Sequence, residues 1–179
     1  MKIRCLKYIF LFLGFILFNL CKAQDIPFSK KVLKKAFYES SEKYIKKNSL
    51  GFVGGWSTEN TDSSYFRADT VKLISNGGNP NNSCHLMEWR FHDNDHSFYL
   101  VGFVPCQEPP VYQIGNNNFY NLKIIIYNNK YYILTYNSGR LVDTFLVSNL
   151  RKVHFTDDLP DESCYQLTLF REKGSNFRK

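Results

Sequence analysis

The chain is predicted to form a mainly β domain, with eight antiparallel strands closed as an up-and-down barrel or stacked as a two-layer sandwich and one amphipathic helix ahead of them. Three observations carry that expectation. After Asn48, short runs rich in aromatic and branched residues alternate with Gly, Asn, Asp and Pro punctuation. The connections "NGGNPNN", "YNNK" and "NSGR" suit tight turns, so most sequence neighbours pair as hairpins. Phe, Tyr and Trp make up 17% of the residues, which fits a folded, strand-rich body and not a disordered one. Eight strands are too many for an open sheet that a single helix must cover, which leaves the barrel and the sandwich as the economical choices.

Before that domain comes "MKIRCLKYIFLFLGFILFNLCKAQ". Lys2, Arg4 and Lys7 precede an apolar run from Tyr8 to Leu20 that is short for a membrane span, and Ala23 supplies a small residue. Residues 1–23 therefore read as a secretory signal peptide, with the mature chain starting near Gln24 and exported to the periplasm, the envelope or the exterior. The alternative is a lipoprotein acylated at Cys21, and hence membrane-associated; Leu20 stands where a small residue is usual. The leader carries four of the formal +7 charges and no acid, so the mature chain keeps only +3. A basic pI inflated by a removable segment is a poor argument for nucleic acid, and no such partner is expected. About 156 residues remain (179 less 23). That is one domain, able to bury roughly two-thirds of its unfolded surface. It divides into a helical segment over 24–50, a β-domain over 51–172 and a basic tail over 173–179.

From Ser29 to about Lys47 the apolar residues Val32, Leu33, Ala36, Phe37, Tyr44 and Ile45 recur at helical spacing, with Ser29 as N-cap and lysines opposite. Such a helix either docks on a core or lies on a membrane surface. The strands follow as "GFVGGWST", "DTVKLIS", "HLMEWRF", "SFYLVGFV", "NLKIIIY", "KYYILTY", "LVDTFLVS" and "CYQLTLFRE". No internal repeat or low-complexity tract interrupts them.

The third and fourth strands flank a turn in which His92, His96, Asp93 and Asp95 cluster, with His85 further up the strand. Imidazoles and carboxylates are metal ligands, but no recognised ligand spacing is present and polar residues are expected at a hairpin tip anyway, so no metal is expected. Met87, Trp89 and Phe91 share one face by strand alternation and belong inside; Glu88, Arg90 and His92 share the other. With a loop from Asp93 to Ser97, Phe91 opposes Tyr99, Trp89 opposes Val101, Met87 opposes Phe103 and Cys84 opposes Cys106. That register predicts a Cys84–Cys106 disulfide, as an oxidising compartment allows, and leaves Cys164 outside the bridge as a buried or intermolecular thiol.

"FVGGWS" adds a resemblance. Phe52, Gly54 and Trp56 reproduce the F-x-G-x-W opening strand of the lipocalins, with Asn48 upstream in keeping. Cys84 ahead of Trp89 and Phe91, a second cysteine after the next strand, and Arg171 at the end of the last strand follow in order. Over about Phe52 to Arg171 the chain resembles the lipocalin-like domains of small secreted bacterial proteins, which implies a calycin-type barrel. The resemblance also implies that Trp56 closes one end of the barrel beneath Arg171, with Arg151 as a rival; otherwise Trp56 is a plain core aromatic. The long helix and the lack of a T-D-Y element between the middle strands depart from the pattern, so a ligand class does not carry over.

Catalytic signatures are missing: no G-x-S-x-G elbow, no phosphate-binding Gly loop, no H-E-x-x-H. Cys164 would need a His brought near by folding, with His154 nearest in sequence. The expectation is a non-enzymatic protein, without cofactor, that binds a small apolar ligand inside the barrel against Trp89, Phe91, Tyr99, Phe103, Leu122, Ile124 and Leu134. Its rival is a ligand-free interaction module of the cell envelope, acting through its helix or loops. Tyr120, Tyr127, Tyr131, Tyr132 and Tyr136 would line a cavity or fill a core equally well.

Overall fold

A computed structural model describes residues 29–41, 55–75, 82–92, 95–153 and 164–173. The leader with Cys21, Tyr44, Ile45, Asn48, Phe52, Gly54, Asp93, His154 and the tail beyond Lys173 lie outside the described residues.

Helix α1 spans Lys30–Glu39, and the Ser29 hydroxyl accepts from Val32 N–H at 3.2 Å, the N-cap its position predicts. It ends sooner than the apolar periodicity implies. Ser40 bonds back through Oγ to the Ala36 carbonyl, and Ser41 N–H reaches the Tyr38 carbonyl. Paired serines offer the chain these local bonds in place of another helical turn. Leu33, Ala36 and Phe37 are buried, so the helix is docked on the core.

The strands are β1 (Trp56–Glu59), β2 (Thr70–Ser75), β3 (Leu86–Arg90), β4 (Ser97–Val104), β5 (Val111–Gln113), β6 (Phe119–Tyr127), β7 (Lys130–Asn137), β8 (Arg140–Val153) and β9 (Cys164–Arg171). A 3₁₀ turn at Thr61–Ser63 and a one-turn helix α2 (Ser64–Arg67) join β1 to β2. All pairings are antiparallel. They close an eight-stranded barrel in the order β1-β2-β9-β8-β7-β6-β4-β3 and back to β1, with β5 added beside the end of β4. All eight expected strands are present. The short β5 and α2 were not expected. Nor was the placement of β1 between β2 and β3, which breaks an otherwise sequential meander.

The Cys84–Cys106 disulfide forms, with Cα atoms 5.2 Å apart. It is consistent with an oxidising, exported environment. The register of its hairpin differs by one residue from the expected one: Trp89 faces Leu100 and Met87 faces Gly102. A one-residue slip turns a whole strand over. Met87, Trp89 and Phe91 therefore point inward as predicted, but on β4 the inward set is Phe98, Leu100, Gly102 and Val104, while Tyr99 and Phe103 point out. The cysteines lie beyond the ladder, where the chain turning after Val104 takes up the offset. Cys164 is buried at the start of β9.

The core is one cluster. Trp56, Trp89, Phe91, Ile133, Phe145, Leu150, Leu167 and Leu169 are fully enclosed, joined by Phe98, Leu122 and Ile124 from the walls and by Phe37 from α1.

Replacing Cys84 and Cys106 together by Ser frees a loop with a sequence separation of 22. The expected loss is about 3 kcal/mol, measured by urea unfolding of the oxidised wild type against the double variant. A loss below about 1 kcal/mol would mean that the ladder alone fixes the hairpin.

Candidate functional site

Two regions bear on function: the barrel interior with its two ends, and a cleft in its wall.

Among the described residues, the interior is packed with side chains. Trp89 stacks on Phe98 at 4.6 Å between centroids and lies 5.7 Å from Phe145, while Phe98 continues onto Phe91 and Tyr120. At one end Phe37 of α1 meets Trp56 edge-on at 5.2 Å and stacks on Phe91 at 5.0 Å. Tyr165 stacks on the Trp56 ring and donates its hydroxyl to Glu39 of the same helix at 2.9 Å. At the other end α2 inserts Tyr65, whose hydroxyl accepts the Trp89 indole N–H at 3.0 Å. That turn is shaped locally: Asn60 Oδ1 accepts from Tyr65 N–H, and Asp62 and Ser63 take left-handed backbone angles.

Of the seven expected lining residues, Trp89, Phe91, Leu122 and Ile124 lie in this interior cluster. Three do not. Tyr99 is exposed on the outer face against Phe119, and Phe103 stacks outside on Tyr112 at 4.6 Å, both because of the one-residue register. Leu134 is buried but alternates with the inward Ile133 and Thr135, so it faces outward beside Thr144. "KYYILTYN" is apolar at nearly every position, which hides the parity.

The expected stack of Arg171 on Trp56 is absent. β2 separates the two: Ser75 pairs with Trp56 and Thr70 with Phe170, about 16 Å apart along the strand at about 3.3 Å per residue. Arg171 instead sits over the rings of Tyr65 and Phe145, at 5.3 and 5.2 Å. It also donates to the backbone carbonyls of Tyr65 and Phe66. Its rival Arg151 is also placed elsewhere, with Nε on Gln166 Oε1. Trp56 Nε1 finds no acceptor among the described residues.

The Arg171 end is the polar part of the core. Its Nε lies 3.2 Å from Asp143 Oδ1 without hydrogen-bond alignment, a charge contact in a largely buried setting. Burial pushes the Asp143 carboxyl above its usual range, more than the Arg171 charge pulls it down. Burial, then the Asp143 charge, pushes the Tyr65 hydroxyl well above the usual range too. Tyr65 is therefore neutral at any physiological pH and serves as an acceptor and a plug.

The three described histidines are dispersed. His85 is exposed before β3, His92 is exposed after it, and His96 joins Asp95 (2.7 Å) and Lys34 of α1 (2.6 Å), which itself pairs with Asp95. Among the described residues, no three His, Cys, Asp or Glu side chains come together as a metal set. Glu88 faces outward yet is buried: it accepts from Ser57 Oγ and pairs with Arg90 at 2.6 Å, and Arg90 lies over Tyr112.

The cleft lies in the wall. β1 pairs with β3 over four residues but with β2 over only two, Trp56–Ser75 and Ser57–Ile74. Past that point the strands splay around the inserted α2 and leave a space of about 580 Å³, lined by Thr58, Glu59, Ser64, Tyr65, Ala68, Thr70, Val71, Lys72, Ile74 and Gln166. Its volume is that of a small-ligand site. Sequence reasoning missed it. The one available signal was "NTDSSYFRAD", whose cap-forming residues surround an aromatic pair between the first two strands.

Comparison with protein-family models, curated proteins and solved structures gives no match for this chain.

Removing the Tyr65 hydroxyl leaves the Trp89 N–H buried without its acceptor, so Tyr65→Phe is expected to cost about 1–3 kcal/mol, read by urea unfolding. Arg171→Ala leaves Asp143 facing its burial alone, at about 3 kcal/mol near pH 7. A carboxyl whose value is raised on folding holds its proton more tightly in the native chain. Stability therefore falls as pH rises from the unfolded value through the raised folded one. Loss of Arg171 raises the folded value further, so the penalty should be smaller at pH 3 than at pH 7; an equal penalty at both would refute the ion-pair account.

Proposed function

We propose that the protein is an exported, non-enzymatic binding protein of lipocalin-like type, whose barrel is a packed support and whose ligand site is the cleft between β1 and β2. Residues 1–23 act as its secretory leader in this reading, and no cofactor takes part. One observation carries it: the interior is occupied by the chain's own aromatic side chains at both ends and in the middle, whereas the wall holds an open space of ligand size. An apolar ligand inside would have to displace Phe or Trp side chains, each worth about 3–5 kcal/mol to the core. The cleft requires no such displacement.

Its lining suits a polar ligand with an apolar side. Thr58, Ser64 and Thr70 bring hydroxyls, Gln166 an amide, Glu59 and Lys72 opposite charges, and Tyr65, Ala68, Val71 and Ile74 the apolar surface. Hydroxyls and amides fix orientation, while the apolar surface contributes most of the burial.

The second reading, an envelope module acting through its surface, draws on a different observation. Tyr99, Tyr112, Ile114 and Phe119 are exposed around β4, β5 and β6, and grouped apolar residues of this kind mark contact surfaces.

A fragment library titrated into ¹⁵N-labelled protein separates the sites. Binders are expected to shift the amides of Thr58, Thr70 and Lys72, and palmitate, cholesterol and haem to leave the melting temperature unchanged. Shifts centred on Leu122 and Ile124, with a melting temperature raised by palmitate, would restore the interior as the site.

A further inference from the structure

We propose that the cleft takes a short extended peptide, which continues the interrupted β1–β2 ladder as an added strand along the Lys72 edge; this rests on the cleft being the binding site. The main-chain directions assign that edge. Arg171 N–H donates to the Asp69 carbonyl, so the peptide groups of Asp69, Val71 and Leu73 face β9 and those of Thr70, Lys72 and Ile74 face β1. On β1, Asn60 N–H donates to the His85 carbonyl, so Asn60 and Thr58 face β3, and Ser57 and Glu59 face β2. Ser57 and Ile74 therefore form the last mutually facing pair, and Glu59 would meet Lys72 in the next.

That pair is not made: the ladder stops at Ser57–Ile74, and the Glu59 carbonyl accepts from the Ser64 hydroxyl at 3.3 Å instead. The N–H and C=O of Lys72, and two residues on those of Thr70, are turned into the cleft that both residues line. A donor and an acceptor on one residue, repeated every second residue, match the amide groups of an extended peptide.

The side chains around the edge fit the same ligand. Alternate residues of an added strand fall on Tyr65 and Val71 toward the barrel, and on Lys72, Ile74 and Gln166 toward the outside. An apolar residue suits the first side. An acidic residue suits the second, where a strand added along β2 brings it to the Lys72 cation and leaves the Glu59 carboxylate on the β1 side of the cleft. The cleft is of small-ligand size and so limits the ligand to a short segment.

The test titrates the full ¹⁵N-labelled chain with an acetyl-Val-Xaa-Val-amide pool, then with its best member N-methylated at the central amide. The pool is expected to shift the Thr58, Thr70 and Lys72 amides, with Asp and Glu members strongest, and to slow hydrogen exchange at Lys72. N-methylation is expected to weaken binding about tenfold, the loss of one hydrogen bond. Equal affinity of the methylated peptide would overturn strand addition. Fragments that shift the cleft while no pool member does would overturn the peptide and leave the cleft as the site. If neither shifts it, both readings fall.

Discussion

The structure turns on the Trp89 indole. It is fully buried, faces Trp56 across the β1–β3 ladder, stacks on Phe98 and meets Phe145 at a tilt. Its ring tolerates those neighbours, but its N–H does not, because a buried donor without an acceptor costs about 1–3 kcal/mol. The acceptor is the Tyr65 hydroxyl, and no residue on a barrel strand supplies it. The segment between β1 and β2 must therefore turn inward to deliver Tyr65, and a tight hairpin is excluded there. The early end of the β1–β2 ladder and the space beside it follow from that one bond.

The two ends of the barrel are closed by different means, which decides what each can do. The α1 end is mainly aromatic: Phe37, Trp56 and Phe91 meet ring to ring, while Lys34 joins Asp95 and Tyr165 joins Glu39 at the rim. The α2 end buries a cation and a carboxylate. Arg171 is useful there because its planar guanidinium covers two rings while its nitrogens reach two carbonyls of α2 and the Asp143 carboxylate. It ties the last strand to the short helix and so holds Tyr65 beneath Trp89.

Much of this was legible in the sequence. Alternation placed Met87, Trp89 and Phe91 inside, and the spacing of Cys84 and Cys106 about one hairpin gave the disulfide. Strand identity survives small errors because each strand carries its own pattern and turn signals. Facing does not. One residue of loop length between Phe91 and Phe98 moved Tyr99 and Phe103 from the inside of the barrel to the outside, and "KYYILTYN" carries no alternation by which to place Leu134. The partner of Arg171 was hidden for another reason. An Arg near a strand end says that a ring lies close, but which ring depends on strand order, and β2 stands between β1 and β9. The cleft was the least legible feature, since it depends on pairs that are not made.

The open ladder is nonetheless the lower-energy arrangement. Completing it at Glu59 and Lys72 would add two backbone hydrogen bonds, about 2 kcal/mol at about 1 kcal/mol each. Doing so would draw α2 out of the barrel end. The Trp89 N–H would lose its acceptor, at about 1–3 kcal/mol, and the Tyr65 side chain would forfeit about 1.5–3 kcal/mol of burial. Arg171 would lose both carbonyls and one of its two rings while Asp143 stayed buried beside it. The sum favours the plug over the ladder. A strand edge kept open by the fold's own stability is available to a partner without unfolding anything, because the cost of leaving it unpaired is already offset on the other side of the same segment.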